Sequence, residues 1–327
     1  MNPKICLIGG TSRSGTKILK WTFKNHPDFK TIPKIGEWRI ITDPDGIVDF
    51  YNSMNAGWSP YYFDTKLRRL KRILKLVGRI DRLNILYEAF LQNSGIQKFF
   101  PYHLTQRYIG VNLKKHCPGY TKHVNHLIDD LTQFKYRACW DASKFGQRND
   151  MAYHHPFKKV ELTKALQNFL RNIIASIVKQ KNAKHFIEDS TFNICWFDKI
   201  LEILPEAKLV HIYRDPRDVV ASFKHQTFTP RTAKEAALFY KGMIKQWERV
   251  KKNLPKDKYL EISLESLVAE PEKQLKKVCR FYGVKWDKNL LNTKLKNTKR
   301  WKKDLTKSEQ KIVQEILKNE IKRLGYY

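Results

Sequence analysis

Residues 4–17 read Lys4-Ile5-Cys6-Leu7-Ile8-Gly9-Gly10-Thr11-Ser12-Arg13-Ser14-Gly15-Thr16-Lys17. Ile5 to Ile8 form a short apolar run of the length of an interior parallel strand. Two glycines then turn the chain into the amphipathic Ile18, Leu19, Trp21, Thr22 and Phe23. The stretch predicts a strand, a tight loop and a helix start. Free amides in such a loop, with the positive end of the helix dipole behind them, make a seat for a phosphate or a similar oxyanion. The competing interpretation is an ordinary turn, in which Gly, Ser and Thr cluster for their backbone freedom alone.

A nucleotide triphosphatase would close this loop with Gly-Lys-Ser or Gly-Lys-Thr. Here the order is Gly15-Thr16-Lys17, with the lysine two places past the glycine and Arg13 inside the loop, which points away from ATP or GTP hydrolysis. Ser12-Arg13-Ser14-Gly15-Thr16 resembles instead the Pro-Arg-Ser-Gly-Thr-Thr loop of sulfotransferases, which holds the 5′-phosphosulfate of 3′-phosphoadenosine 5′-phosphosulfate (PAPS). That resemblance implies donor contacts from Ser12, Arg13, Ser14, Gly15, Thr16 and Lys17, with Arg13 and Lys17 also stabilising charge during transfer.

A second stretch, from His185, repeats the layout of strand, helix, strand and charged turn. The run Pro205-Glu206-Ala207-Lys208-Leu209-Val210-His211-Ile212-Tyr213-Arg214-Asp215-Pro216-Arg217-Asp218-Val219-Val220-Ala221-Ser222 resembles the sulfotransferase segment that binds the donor's 3′-phosphate. Its chemistry is readable from the residues. Arg214 leaves a strand at its carboxyl end, where open α/β sheets bind ligands. A planar guanidinium with a nearby hydroxyl suits a dianionic phosphate. The resemblance gives that task to Arg214 and Ser222 and leaves Arg217 and Asp215 structural.

Further matches are to the tyrosylprotein sulfotransferases. There, too, the first helix ends in His-Pro-Asp, as in His26-Pro27-Asp28, and a Gly-Glu segment follows, as in Gly36-Glu37, with a few extra residues here. The resemblance makes Glu37 the general base; pairing with Lys34 or Arg39 on the surface is its ordinary alternative. Where those enzymes have Lys-Asp-Pro, this chain has Glu188-Asp189-Ser190, an acid in place of a cation. Lys17 could supply the missing charge, and Glu188 is a second candidate base or a helix cap. The segment Lys258 to Glu272 resembles the family's last core strand, which implies that Tyr259 lies near the nucleotide, although a strand tyrosine is usually core. Residues 294–303 carry six basic side chains around Trp301. This is a natural lid for a polyanion, with Lys299 and Arg300 as phosphate contacts and Trp301 free to pack on a base or an arginine.

The 327 residues hold 63 Lys+Arg against 32 Asp+Glu, a formal charge of +31. An anionic partner follows, although lysines that merely solvate helices account for part of the count. The five cysteines are odd in number and lack any Cys-x-x-Cys pair, so neither a disulfide framework nor a zinc site is indicated. His123, His126, His154 and His155 have no carboxylate or cysteine at a ligand spacing. With no leader sequence and no apolar run of membrane-spanning length, the expectation is a cytoplasmic protein that uses no metal.

From about 55 to 180 the sequence becomes helical, basic and aromatic, with no strand pattern. Lys66 to Arg82 places Leu67, Leu70, Ile73, Leu74, Val77 and Ile80 on one face. Such a helix either covers a core or lies on an anionic membrane. In sulfotransferases this part of the chain shapes the acceptor pocket. The expectation is one domain over residues 1–327: an α/β, P-loop-like three-layer sandwich with a mainly parallel central sheet and a helical acceptor-side insertion at about 55–180. The implied activity is transfer of a sulfuryl group from PAPS to a hydroxyl, on a glycan first and on a peptide tyrosine second. A small-molecule kinase and a module for nucleic acid or anionic membrane are the rivals. The first is opposed by the misplaced lysine, and the second leaves Arg214 to Ser222 without a purpose.

Overall fold

The run that opens the chain is the central strand of a parallel sheet. A computed structural model describes residues 3–30, 38, 40–78, 90, 112–138, 150–180, 182–296 and 299–326. In chain order the described elements begin with β1 (Lys4–Gly9), α1 (Thr16–Phe23), β2 (Phe29–Lys30), α2 (Ile47–Ala56), α3 (Pro60–Val77), α4 (Leu113–His116), α5 (Tyr120–Asp130), β3 (Phe134–Tyr136), β4 (Met151–Tyr153) and α6 (Lys159–Gln180). They continue as β5 (His185–Glu188), α7 (Asn193–Ile203), β6 (Lys208–Tyr213), α8 (Pro216–Phe223), α9 (Ala233–Lys251), β7 (Tyr259–Ser263), α10 (Leu264–Ala269), α11 (Pro271–Tyr282), α12 (Trp301–Asp304), α13 (Lys307–Ile316) and α14 (Lys318–Arg323). These residues form two units, one of residues 1–3, 32–182 and 202–205, the other of residues 4–31, 183–201 and 206–327.

The second unit holds the sheet, in the order β2-β5-β1-β6-β7 with every neighbouring pair parallel. Leu7 lies opposite Glu188, and Gly9 opposite His211. The loops after β5, β1 and β6 therefore leave the same edge of the sheet, side by side. Alternation along the strands sends Cys6, Ile8, Val210, Ile212 and Ile262 to one face, where they meet Leu19 and Phe23 of α1 and Leu275, Val278 and Cys279 of α11. Burial of each such side chain is worth about 1.5–3 kcal/mol, which is what holds α1 in place behind the loop. His211 points to the other face, its ring 5.1 Å from Trp247 of α9. There Glu261 Oε1 lies 3.0 Å from His211 Nδ1 and accepts a 2.8 Å hydrogen bond from Trp247 Nε1. Helices thus cover both faces, giving the expected three layers.

In the first unit, α3 begins earlier than the hydrophobic periodicity suggests. Ser59 caps it by accepting from Tyr62 N at 3.3 Å, and Pro60 occupies the first turn. Leu67, Leu70, Ile73, Leu74 and Val77 are all buried, so the apolar stripe of this basic helix is consumed by packing; Ile80 lies outside the described residues. Tyr120 of α5 donates to Leu74 O at 2.7 Å across that contact. One expectation is corrected here: the region is not purely helical. β3 and β4 pair as a two-stranded antiparallel sheet, Phe134 opposite Tyr153 and Tyr136 opposite Met151. At three residues each they are too short to show alternation in the sequence. Among the described residues no helix is long and apolar enough to cross a membrane, and no group of three or more His, Cys, Asp or Glu side chains could hold a metal ion.

Candidate active site

The turn after β1 is built under constraint. A Cβ on Gly10 would lie 2.3 Å from Ser14 Oγ and 2.7 Å from the carbonyl oxygen of Ile212, so no side chain fits there. Ser12 and Arg13 take φ values of 67° and 55°, and Gly15 takes 111°. For the two non-glycine residues this left-handed backbone costs about 1–3 kcal/mol each and persists only where the surroundings impose it. Gly10 N reaches Thr191 O at 3.4 Å, which ties the loop to the segment after β5.

The loop delivers unsatisfied donors. Gly15, the residue before α1, caps nothing with a side chain, and the first turn carries no acid, so no cap among the described residues takes the amides at the start of α1, where a ligand or water could accept from them. Ser14 Oγ is buried and has no hydrogen-bond partner among the described residues. Thr16 is buried at the first position of α1.

On the adjoining strand, Arg214 leaves β6 and is buried, its guanidinium 3.1 Å from Asp218 Oδ2 one turn along α8. Asp215 caps α8 through a 2.9 Å bond from Arg217 N and grips the Arg217 guanidinium, with Nη2 at 2.8 Å. Asp215 N in turn donates to Glu265 Oε1 at 3.2 Å, and Tyr326 donates to Glu265 Oε2 at 2.6 Å. The last residues of the chain thereby brace the Arg214 turn.

The two stretches singled out in the sequence meet. Arg13 Nε donates to Ser222 Oγ at 3.0 Å, across 209 residues of chain. Partial burial pushes the Arg13 guanidinium below its ordinary range, and the positive charges of Arg300 and Arg214 push it further. Three guanidiniums therefore share one neighbourhood. Arg214 is paired with Asp218, and Arg300 Nε with Asp304 at 2.7 Å. Arg13 has only the neutral hydroxyl of Ser222 among the described residues.

Other expected residues fall elsewhere. Lys17 is exposed, with Nζ 5.0 Å above the Trp21 ring on its own helix. Tyr259 stands at the amino end of β7, beside Leu209, and its hydroxyl accepts from Lys256 Nζ at 3.0 Å. It is not brought together with the loop, which leaves the carboxyl edge. Lys299 is exposed next to Arg300. The Trp301 ring packs on an arginine, 4.4 Å from Arg217 Cζ. Glu37 lies outside the described residues. Glu188 is buried and accepts from Asn193 Nδ2 at 2.8 Å, while the same amide reaches Ile8 O at 2.9 Å.

Sequence reasoning missed two charged residues here. Lys20 and Asp189 form a buried ion pair at 2.6 Å, which brings a cation from α1 to the end of β5. The signal was available, since Lys20 falls on the buried stripe of Thr16, Leu19 and Phe23. Asp218 is the second: its four-residue spacing from Arg214 is that of an ion pair on a helical turn.

A model of the sulfotransferase family matches residues 104–288, more than half of the chain. The chain belongs to the sulfotransferase family. It is accordingly a transferase, and the match contains the whole run from Arg214 to Ser222. No curated protein sequence matches the chain. Solved sulfotransferases are similar only loosely. The sulfotransferase domain of the Synechococcus PCC 7002 olefin synthase is 15% identical, with 98% of this chain and 95% of that one covered at a TM-score of 0.47. The sulfotransferase domain of the curacin biosynthetic pathway is 13% identical, covering 99% and 98% at 0.45. Sulfotransferase STF9 of Mycobacterium avium is 10% identical, covering 100% and 78% at 0.46. Likenesses this loose carry no residue roles across to the present sulfotransferase.

Proposed function

We propose that the protein takes its sulfuryl group from PAPS and transfers it to an acceptor hydroxyl, a glycan hydroxyl in the first instance. The observation that carries the donor reading is the hydrogen bond from Arg13 to Ser222, in the company of Arg214 and Arg300. It unites the loop suited to a 5′-phosphosulfate with the turn suited to a 3′-phosphate. The residues present fit such a molecule. Among the described residues Ser14 Oγ is buried without a partner, a Cβ at position 10 would fill the loop, and crowded guanidiniums want an anion.

When bound, PAPS supplies a sulfuryl group on a phosphate leaving group. The loop amides of residues 12–17, with Ser12, Ser14, Gly15 and Thr16, hold the 5′ end, while Arg214 and Ser222 hold the 3′-phosphate and Lys299 and Arg300 add to it from the carboxyl-terminal side. Arg13, with the more distant Lys17, offsets negative charge that grows on the leaving side. Glu37 takes the proton of the acceptor hydroxyl. Glu188 is given a bracing role, because its carboxylate is engaged with Asn193 beneath the loop. Residues 1–327 act as one sulfotransferase domain, with residues 55–180 on the acceptor side. A reducing compartment such as the cytoplasm suits the free thiols of Cys6, Cys117, Cys195 and Cys279.

The test is a thermal-shift and calorimetric comparison of adenosine 3′,5′-bisphosphate, ATP and duplex DNA, followed by transfer of label from PAPS to glycans and tyrosine peptides. Preference for the bisphosphate, lost in Arg214→Ala, is expected. Equal response to ATP would overturn the donor reading, and full turnover by Glu37→Ala would remove Glu37 from its role.

A further inference from the structure

Asp218 is buried, and its two carboxylate oxygens face different parts of the chain. Oδ2 takes the Arg214 guanidinium at 3.1 Å. Oδ1 accepts from the backbone N–H of Arg300 at 2.6 Å and of Trp301 at 2.9 Å, 82 and 83 residues further on. One side chain thus holds both the guanidinium that leaves β6 and the first turn of α12. Around it the packing is continuous, with the Trp301 ring on Arg217, Arg217 clamped by Asp215, and Arg300 Nε held by Asp304.

The geometry points to Asp218 as a positioning residue that latches the segment 299–304 to the phosphate site, so that donor binding and docking of this segment reinforce each other; the donor half rests on the reading above. The argument is one of charge and reach. The basic run 294–303 would be driven away from Arg13 and Arg214 by like-charge repulsion if nothing held it. Asp218 is the acid that holds it, because it neutralises Arg214 and anchors the Arg300 backbone with the same carboxylate. A phosphate bound between Arg13 and Arg214 relieves the remaining repulsion and so favours the docked segment. By linkage, the docked segment favours the phosphate to the same degree.

Two measurements test this on the full chain. The first is the rate of tryptic cleavage at Lys299, Arg300, Lys302 and Lys303, read by intact mass without and with adenosine 3′,5′-bisphosphate. The second is calorimetric affinity for that nucleotide in wild type, D218N, R300Q and the double variant. Asparagine leaves at most a neutral, weaker acceptor in place of the charge-assisted one for the Arg300 and Trp301 amides, and it loses the ion pair to Arg214. D218S serves should D218N fail to fold, since serine retains a single acceptor. Expected are cleavage at least 5-fold faster in ligand-free D218N, ligand protection in wild type that D218N loses, and affinity at least 10-fold weaker in D218N. R300Q should weaken binding in wild type but by less than 2-fold in the D218N background. Equal cleavage of ligand-free wild type and D218N overturns the latch whatever the nucleotide does. An undiminished R300Q effect in D218N overturns the coupling. Failure of wild type to bind the bisphosphate, with cleavage still faster in D218N, overturns the donor reading and leaves the latch supported.

Discussion

Arg13→Met separates a ligand contact from a structural prop. In the free protein Arg13, exposed to water, gives one hydrogen bond to a neutral hydroxyl, worth about 1.5 kcal/mol, the low end for a charged donor. Against this stand partial burial and two neighbouring guanidiniums, both of which disfavour its charge. Methionine keeps the length and packing of the stem while removing the bond and the repulsion together. The free variant should therefore lie within about 1 kcal/mol of wild type, a melting shift of no more than roughly 4 °C. The liganded state differs, because there the guanidinium faces an anion in a charge-assisted hydrogen bond worth about 1.5–3 kcal/mol. Affinity for adenosine 3′,5′-bisphosphate should fall about 10- to 150-fold. Scanning fluorimetry of the free proteins and titration calorimetry with the bisphosphate give the two halves, and the affinity gap should narrow with added salt. A free variant that melts far below wild type but binds as tightly would refute the reasoning, since Arg13 would then be a brace for Ser222.

Three other perturbations follow from the same site and its supports. Gly10→Ala forces a Cβ against Ser14 Oγ and the Ile212 carbonyl, and backbone does not yield cheaply; a loss of about 1–3 kcal/mol in urea unfolding and of bisphosphate binding is expected, and a variant unchanged in both would contradict the geometry. Lys20→Met removes the ammonium from the buried Asp189 pair and should cost about 3–5 kcal/mol, with most of it recovered in Lys20→Met/Asp189→Leu; urea unfolding of both variants decides. Burial raises the Glu261 carboxyl, but hydrogen bonds from His211 and Trp247 and the charge of Lys251 outweigh it and hold the group below the usual carboxylate range. A depressed folded value means a contribution present in full above the unfolded value of about 4.3 and lost as pH falls. Glu261→Gln should accordingly be less stable at pH 7 and flatter in urea stability between pH 5 and 3; parallel curves would count against it.

How far the sequence could be read depends on how local each signal is. β1, β6 and the turn at Arg214 were legible because a buried parallel strand needs only a continuous apolar run, and because glycines, arginines and prolines punctuate its end. The pairing of Arg13 with Ser222 was legible only as an implication of two phosphate-binding patterns, since no local rule links positions 209 residues apart. Tyr259 has a position that its local pattern does not fix. Its neighbourhood resembles a core strand, but register sets it at the amino end, beside Leu209, and register is a property of two strands at once. Lys20 and Asp218 were missed because a charged residue usually goes to water, and only the partner across the fold decides otherwise. The hairpin of β3 and β4 is three residues long on each side, below the length at which alternation differs from chance.

The site as the chain builds it carries several unfavourable features together. Ser12 and Arg13 are left-handed, Ser14 Oγ is buried without a partner among the described residues, α1 starts without a side-chain cap, and Arg13 sits among like charges. Simple changes would relieve them: glycine at 12 and 13, alanine at 14, an acid at 17 in the first turn of α1, a neutral residue at 13. A chain whose only demand was stability would gain about 1 kcal/mol or more from several of them. All of these costs fall within one short loop and the helix it feeds, and a single multiply charged anion offsets three of them at once. It accepts from the bare amides and the Ser14 hydroxyl and neutralises the crowded guanidiniums. Backbone strain is the remainder, and a loop whose turn is already fixed in the fold loses less ordering entropy when an anion arrives.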